Sequence, residues 1–268
     1  NNMKLLGISN TKTMKGEALG YRTYIMHLAP STLSGHQVCP MASLGCSTAC
    51  LNLSGMGRFS TVQAARVAKT KRFFQDRVAF MQQLVKEVRA AVKSSQKLGL
   101  TPVVRLNGTS DIRWESIPVL GVKSIMDAFP MVQFYDYTKI PNRRNVPSNY
   151  HLTFSRSESN QQHVATSQYN VAVVFDELPA TYLGRTVIDG TETDLRFLDP
   201  QHVVVGLKAN GKAKQDTSGF TVITAFSLSS YVAMRARYCC TISRDVIRFC
   251  SSAVRRSARL VSTTVTGP

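Results

Sequence analysis

The chain lacks any run of about 18 consecutive apolar residues, the length that crosses a bilayer as a helix. Its N-terminal stretch also lacks the charged, then apolar, then small-residue layout of a secretion signal. An integral membrane or secreted protein is therefore not expected, and the expected location is the cytoplasm. Acidic residues are scarce: 16 Asp and Glu stand against 33 Lys and Arg, for a formal net charge of +17. Such a surplus attracts polyanions, so nucleic acid or another polyanion is the expected partner class. It carries no information about fold. No Gly/Ser linker, low-complexity tract or repeat of fixed period interrupts the 268 residues, so one domain is expected. There is no P-loop order, no Ser–His–Asp order and no paired-carboxylate motif. Oligomeric state leaves no trace in the sequence.

What is present begins with a hydrophobic fraction of 43%, enough to build a sizeable core. The C-terminal stretch has another texture. From Arg235 onward there are seven Arg, one Asp, no Lys, no Glu and three of the six Cys: Cys239, Cys240 and Cys250. It reads either as an arm that clamps a phosphate backbone or as a divergent tail. The expected division is a domain over residues 1–230 and a poorly packed Arg-rich tail over 231–268.

Between these ends, strand-length apolar runs alternate with helical stretches. Tyr24–Leu28 reads as a strand entering a long loop that reaches Gly57. A long helix, broken once, is expected from Ser60 to Lys97, with Phe74, Val78, Met81, Val85, Val88 and Val92 on one face. Further strands are expected at Pro102–Leu106, Met131–Tyr135, His151–Phe154, Val171–Phe175 and His202–Gly206. A short helix is expected over Trp114–Ala128 and a polar helix-like segment over Glu158–Ser167. Continuous apolar strands suggest a parallel sheet covered on both faces. The expected class is α/β: a single domain whose mainly parallel sheet forms a full or partial TIM-like (β/α) barrel. Val103, Val104, Val132, Phe134, Leu152, Phe154, Val171, Val173, Val203 and Val205 are its expected core.

The most informative stretch is the loop 36–57, which holds Cys39, Cys46 and Cys50 in the run CPMASLGCSTAC. Three thiols spaced by six and then three residues can fold onto one centre. Thiolates are soft ligands that select zinc or iron–sulfur clusters. A closed zinc site needs a fourth ligand, for which His36 is the neighbour. A [4Fe–4S] cluster held by three Cys leaves one iron open. The alternative is three unrelated buried residues, or a disulfide beside a free thiol, which an intracellular setting disfavours.

In a barrel, ligands gather where strands end. The second strand ends in Asn107, Gly108 and Asp111, which could meet a ligand or simply turn the chain and cap a helix. Tyr135 at the third strand and Ser155 at the fourth complete the candidate cofactor-binding set, with Arg156 beside them. His27, His151 and His202 sit in apolar runs and read as core histidines. Arg66, Lys69, Lys71 and Arg72 form a cationic patch, either a solvated face or a nucleic-acid contact.

Several runs resemble the gene-product-88 family of phage proteins: Gly20-Tyr-Arg-Thr-Tyr24, the Cys39–Cys50 block, Arg105-Leu-Asn-Gly-Thr-Ser-Asp111, Phe134-Tyr-Asp-Tyr-Thr-Lys139 and Asp194-Leu-Arg-Phe-Leu-Asp199. The likeness runs from Gly7 to Phe220 and implies the cytoplasm of a phage-infected or prophage-bearing bacterium. More distantly, the order of strand, three-Cys loop and helix is similar to radical S-adenosylmethionine enzymes. That resemblance implies a [4Fe–4S] cluster on Cys39, Cys46 and Cys50, with S-adenosylmethionine as a candidate cofactor. Two functions follow as expectations. One is a metalloprotein with a three-Cys iron–sulfur centre, radical S-adenosylmethionine-like if it is an enzyme. The other is a non-enzymatic, basic, nucleic-acid-binding phage protein with a structural zinc site.

Overall fold

The computed structural model describes residues 3–8, 15–53 and 55–224. The Arg-rich stretch from Arg235, with Cys239, Cys240 and Cys250, lies outside them. A 10-stranded sheet organises the described chain. Its strands are β1 (Leu6–Gly7), β2 (Tyr21–Met26), β3 (Thr101–Arg105), β4 (Gln133–Thr138), β5 (Tyr150–Ser155), β6 (Val171–Phe175), β7 (Thr181–Tyr182), β8 (Arg185–Asp189), β9 (Val204–Lys208) and β10 (Thr221–Val222). Helices α1 (Leu44–Thr48), α2 (Ser60–Gln75), α3 (Arg77–Lys97) and α4 (Ile125–Ala128) accompany them.

The strand order is β1-β2-β3-β4-β5-β6-β9-β8-β7, with β10 also on β6. The central run from β2 to β6, then β9 and β8, is parallel. Both ends are antiparallel: β1 lies against β2, and β7 against β8. The barrel expectation fails here. An antiparallel strand occupies each edge that closure would need, so the sheet is open and mixed rather than a TIM-like barrel. The connections differ too. The step from β4 to β5 is an irregular loop over 139–149, and that from β5 to β6 holds one 3-10 turn at Gln161–His163. These are not the helices that would ring a barrel, and the polar helix-like segment over 158–167 is not formed.

The helix expected over Trp114–Ala128 is also replaced, by a 3-10 turn at Trp114–Ser116 and the short α4. Pro118 removes a donor, and Leu120 and Gly121 both take positive φ between the bridged Val119 and Val122. That is a tight reversal, not a helix. Val132 and Val203 sit just ahead of β4 and β9 rather than inside them.

The long helix breaks once. Asp76 leaves helical geometry at φ −144°, and its Oδ1 accepts from Ala79 N at 3.0 Å to cap α3. Val78 shares the face of Met81, Val85 and Val88 but sits in the first turn of α3, beyond the edge of the sheet's cover, and is 71% exposed, while Phe73, Phe80, Leu84, Val88 and Ala91 point inward. They pack on Tyr24, Met26, Val104 and Phe134 of the sheet to make the main core. Burial of each such side chain contributes about 1.5–3 kcal/mol. The Tyr24 hydroxyl sits against Ala91 O and Ser95 Oγ, both at 3.1 Å, which fixes α3 on β2.

The opposite face of β3 and β4 is covered by the segment around Leu195 and Phe197. There Arg105 donates to Asp194 at 2.7 Å, and Tyr135 packs at 5.6 Å from the Phe197 ring. Beside β6 the sheet splits. β5 pairs only with Val171 and Ala172, and β10 takes the vacated upper half at Val174 and Phe175.

Candidate thiol site at the carboxyl edge of the sheet

The loop leaving β2 is built around turns, not extended chain. Ser31 takes φ +51° and presents its N–H to Cys39 Sγ at 3.3 Å. Cys39 Sγ in turn lies 3.7 Å from Thr109 O, so the loop is tied to the turn after β3. Val38 O accepts from Asp111 N at 2.8 Å, a second tie between the same two segments. Ser43 then caps α1, accepting from Cys46 N at 3.1 Å. Glu158, from the turn after β5, reaches across: Oε1 accepts from Gly45 N and Oε2 from the Ser43 hydroxyl, each at 2.8 Å. Gly45 is forced to lack a side chain, since a Cβ there would meet Ser218 Oγ and Phe220 Cβ.

Cys39, Cys46 and Cys50 are free thiols of intermediate burial on this one loop. Burial pushes the Cys39 thiol up to about 11, against the Ser31 N–H, with Cys50, Asp111 and Cys46 adding to the rise. The Cys50 thiol is likewise raised by burial and by Cys46, while Asn52 N–H, Lys139 and Arg66 oppose the shift. The three sulfurs thus stand within electrostatic reach of one another, with Arg66 and Lys139 beside Cys50. No group of three His, Cys, Asp or Glu among the described residues is arranged to hold a metal ion. His36 stacks on the Phe74 ring at 4.3 Å, which engages the side chain considered as a fourth ligand.

The predicted strand-end residues divide into two kinds. Asn107 is a structural hub: its Oδ1 accepts from Ser110 Oγ, Ile112 N and Trp114 Nε1, and its Nδ2 donates to Ile112 O. No hydrogen-bonding capacity is left over for a ligand on that oxygen. Gly108 permits close approach, but to the protein itself: a Cβ would meet Met26 O at 2.6 Å and His27 Cδ2 at 2.8 Å. Asp111 is spoken for by Thr138 Oγ1 at 2.8 Å and Lys139 N at 2.7 Å. Tyr135 is buried on the far face beside Asp194. Ser155 accepts from Lys139 Nζ at 2.8 Å and lies at the thiol edge. Arg156 donates to the carbonyls of Gly219 and Phe220, tying β5 to the segment that enters β10. Of the candidate set, the Cys loop, Asp111, Lys139 and Ser155 form one neighbourhood, and Tyr135 does not belong to it.

A family model described as Gene product 88 matches residues 3–222. The chain belongs to the gene product 88 family. The match ends on Val222, the last residue of β10, and so covers the whole sheet. No curated protein and no solved structure matches the chain. Among the described residues, no helix is long and apolar enough to cross a membrane.

Three side chains beside the Cys loop lie outside the site set expected from the sequence. Glu158 lies in a Ser-Glu-Ser-Asn turn whose scarcity of neighbouring acids was the available signal. Lys139 follows β4 directly. Arg66, read as part of a cationic surface, is 8% exposed and faces the Cys loop through Asn52. The spacing Arg66, Thr70, Phe73, all buried on α2, carried that information.

Proposed function

We propose that this member of the gene product 88 family is a metalloprotein whose Cys39, Cys46 and Cys50 hold an iron–sulfur cluster. The observation that carries the proposal is the placement of three free thiols on one loop at the carboxyl edge of a parallel sheet, a loop that would have to draw them together around the metal, since as they stand they are not grouped to hold one. Three soft donors suit a cluster or zinc. With His36 stacked on Phe74 and Asp111 held by Thr138 and Lys139, a fourth protein donor is wanting, which favours a cluster with an open position over closed structural zinc. Ligation requires deprotonated thiols, so the burial that disfavours free thiolates favours their pairing with metal. Arg66 and Lys139 offset the negative charge of a three-thiolate centre.

Anaerobic purification followed by iron, sulfide and zinc analysis tests the proposal. Stoichiometric iron and acid-labile sulfide, lost in Cys39→Ser, Cys46→Ser and Cys50→Ser, are expected. Stoichiometric zinc without sulfide would replace the cluster by a structural clip and favour the nucleic-acid-binding alternative that the +17 charge supports. Absence of both metals would overturn the metal reading. Titration of the iron-loaded protein with S-adenosylmethionine decides whether that cofactor binds at the open position.

A further inference from the structure

The lobe that carries the thiols is turned inside out. Its chain runs through α1, the 3-10 turns Leu51–Leu53 and Gly55–Arg58, and the start of α2. The side chains it buries are polar: Ser43, Asn52, and Arg66, which donates to the Asn52 side-chain oxygen. The two turns close on each other so tightly that a Cβ at Gly57 would meet Asn52 O at 2.8 Å and Leu51 O at 2.9 Å. Backbone and polar groups fill the interior, and the large apolar side chains are left outside. Leu44 is 78% exposed, Met56 71% and Leu51 66%, with Leu53 and Phe59 also exposed. Single apolar side chains at a surface are ordinary, but five between Leu44 and Phe59 mark an interaction surface.

The charge of this stretch has one sign. No Asp or Glu occurs between Glu17 and Asp76, whereas Arg58 and Lys71 are exposed there. The Arg58 guanidinium lies 5.6 Å from the centre of the Phe59 ring, so cation and apolar surface are interleaved. Two acids reach the lobe from elsewhere: Glu158 directly, and Asp216 through Ser218, which packs against Gly45. Both are engaged within the protein, Glu158 by Ser43 and Gly45, Asp216 by Ser218 and Thr221.

These features narrow the partner. A second copy would set cation against cation across the contact. Nucleic acid supplies negative charge but gains nothing from Leu and Met, and Phe59 is the one aromatic between residues 44 and 59 that could stack on a base. Helix-in-groove docking reads its anchors off one helix face, whereas these five are spread over α1, both 3-10 turns and the cap of α2. An anionic lipid surface offers negative head groups over a fluid apolar layer and demands no fixed shape.

We propose that the thiol lobe docks on an anionic lipid surface, with Leu44, Leu51, Leu53, Met56 and Phe59 entering the apolar layer and Arg58 held among the head groups. The contact is peripheral, since α1 has five residues and no helix among the described residues is long and apolar enough to span a bilayer. It holds whether or not the thiols carry metal, because none of these side chains is a cysteine.

Co-sedimentation of the full-length protein with phosphatidylcholine vesicles, with and without about 30% phosphatidylglycerol, tests it at fixed ionic strength. Binding to the anionic vesicles is expected, and it should fall about tenfold in the triple variant Leu44→Ser, Leu51→Ser, Met56→Ser. All three positions are exposed, and an unchanged thermal midpoint shows that the variant is folded. Arg58→Gln should weaken binding about fivefold. Met131→Ser, 93% exposed just ahead of β4 at the opposite edge of the parallel sheet, should leave it unchanged. The triple variant keeps every cation, so undiminished binding by it would assign the attraction to charge alone and overturn the proposal. Equal binding to vesicles without phosphatidylglycerol, or none to either, would also overturn it. A dimer seen by analytical ultracentrifugation in wild type and lost in the triple variant, without vesicle binding, would give the patch to a second copy instead.

Discussion

Glu158 clamps the helix that carries Cys46: its two carboxylate oxygens take Gly45 N and the Ser43 hydroxyl, each at 2.8 Å. A residue after β5 thereby sets the position of a loop that leaves β2. Hydrogen bonds to a charged acceptor contribute about 1.5–3 kcal/mol. Glu158→Ala should lower stability by roughly that amount, and it should reduce metal content of anaerobically purified protein more than Glu177→Ala does. Chemical denaturation and metal analysis on the two variants check it. Equal metal loss in both would detach the clamp from the thiols.

Gly108 sits where β3 turns onto the end of β2, with a Cβ position 2.6 Å from Met26 O. That neighbour is backbone and cannot swing away. Gly108→Ala should therefore cost about 1–3 kcal/mol through overpacking. Gly99→Ala tests a different mechanism, because open space surrounds it and only its positive φ is at stake. Denaturant midpoints separate the two.

Asp136 supplies a pH dependence. Burial pushes its carboxyl up to about 7, against Arg105, Asn107 N–H and the Tyr150 hydroxyl. The folded state thus binds this proton more tightly than the unfolded chain, whose carboxyl titrates near 3.8. The contribution to stability is full below about pH 4 and is lost as pH rises through 7. Asp136→Asn should flatten the decline between pH 4 and 7. Thermal midpoints of both proteins across that window measure it, and an unchanged slope would remove Asp136 as its source.

Arg143 and Glu115 form a buried pair, with Arg143 Nε donating to Glu115 Oε1 at 2.9 Å and the ring of Tyr150 5.4 Å from the guanidinium. Arg143→Met leaves Glu115 buried and unpaired, so a loss of about 3–5 kcal/mol is expected. Adding Glu115→Gln should recover part of it. A double-mutant cycle reads the coupling directly, and strict additivity would contradict the pairing.

The sequence made the parallel strands legible because their sequences are dense in β-branched and aromatic residues. Val171–Phe175 lies where its composition puts it. The barrel was not legible as false, since closure depends on edge pairing by two-residue strands such as Leu6–Gly7 and Thr181–Tyr182, too short to show periodicity. Helical periodicity also misplaced Val78, because the capping Asp76 starts α3 there and leaves its first turn outside the packed interface that buries Met81 and Val85 on the same face. At the site, the thiols announced themselves by spacing. Asn107 and Asp111 looked like ligand-binding groups, yet the Asn107 oxygen is consumed within its own turn by Ser110 and Trp114, and the Asp111 oxygens by Thr138 and Lys139, distant partners that no local pattern reveals. Arg66 was hidden for the opposite reason: cations on a helix normally face water.

The distance along the chain between Ser43 and its Glu158 partner is 115 residues. At ribosomal speeds of about 5–20 residues per second, roughly 6–23 s separate the emergence of the thiol loop from that of its clamp. The thiols are thus synthesised well before the residues that bury them, and Ser218 and Phe220, which pack over Gly45, arrive later still. Oxidation and trapping by other thiols compete within that interval with loading of the proposed metal. For the proposed thiol centre, the order of elements along the chain gives metal delivery a co-translational window that ends as β10 pairs with β6.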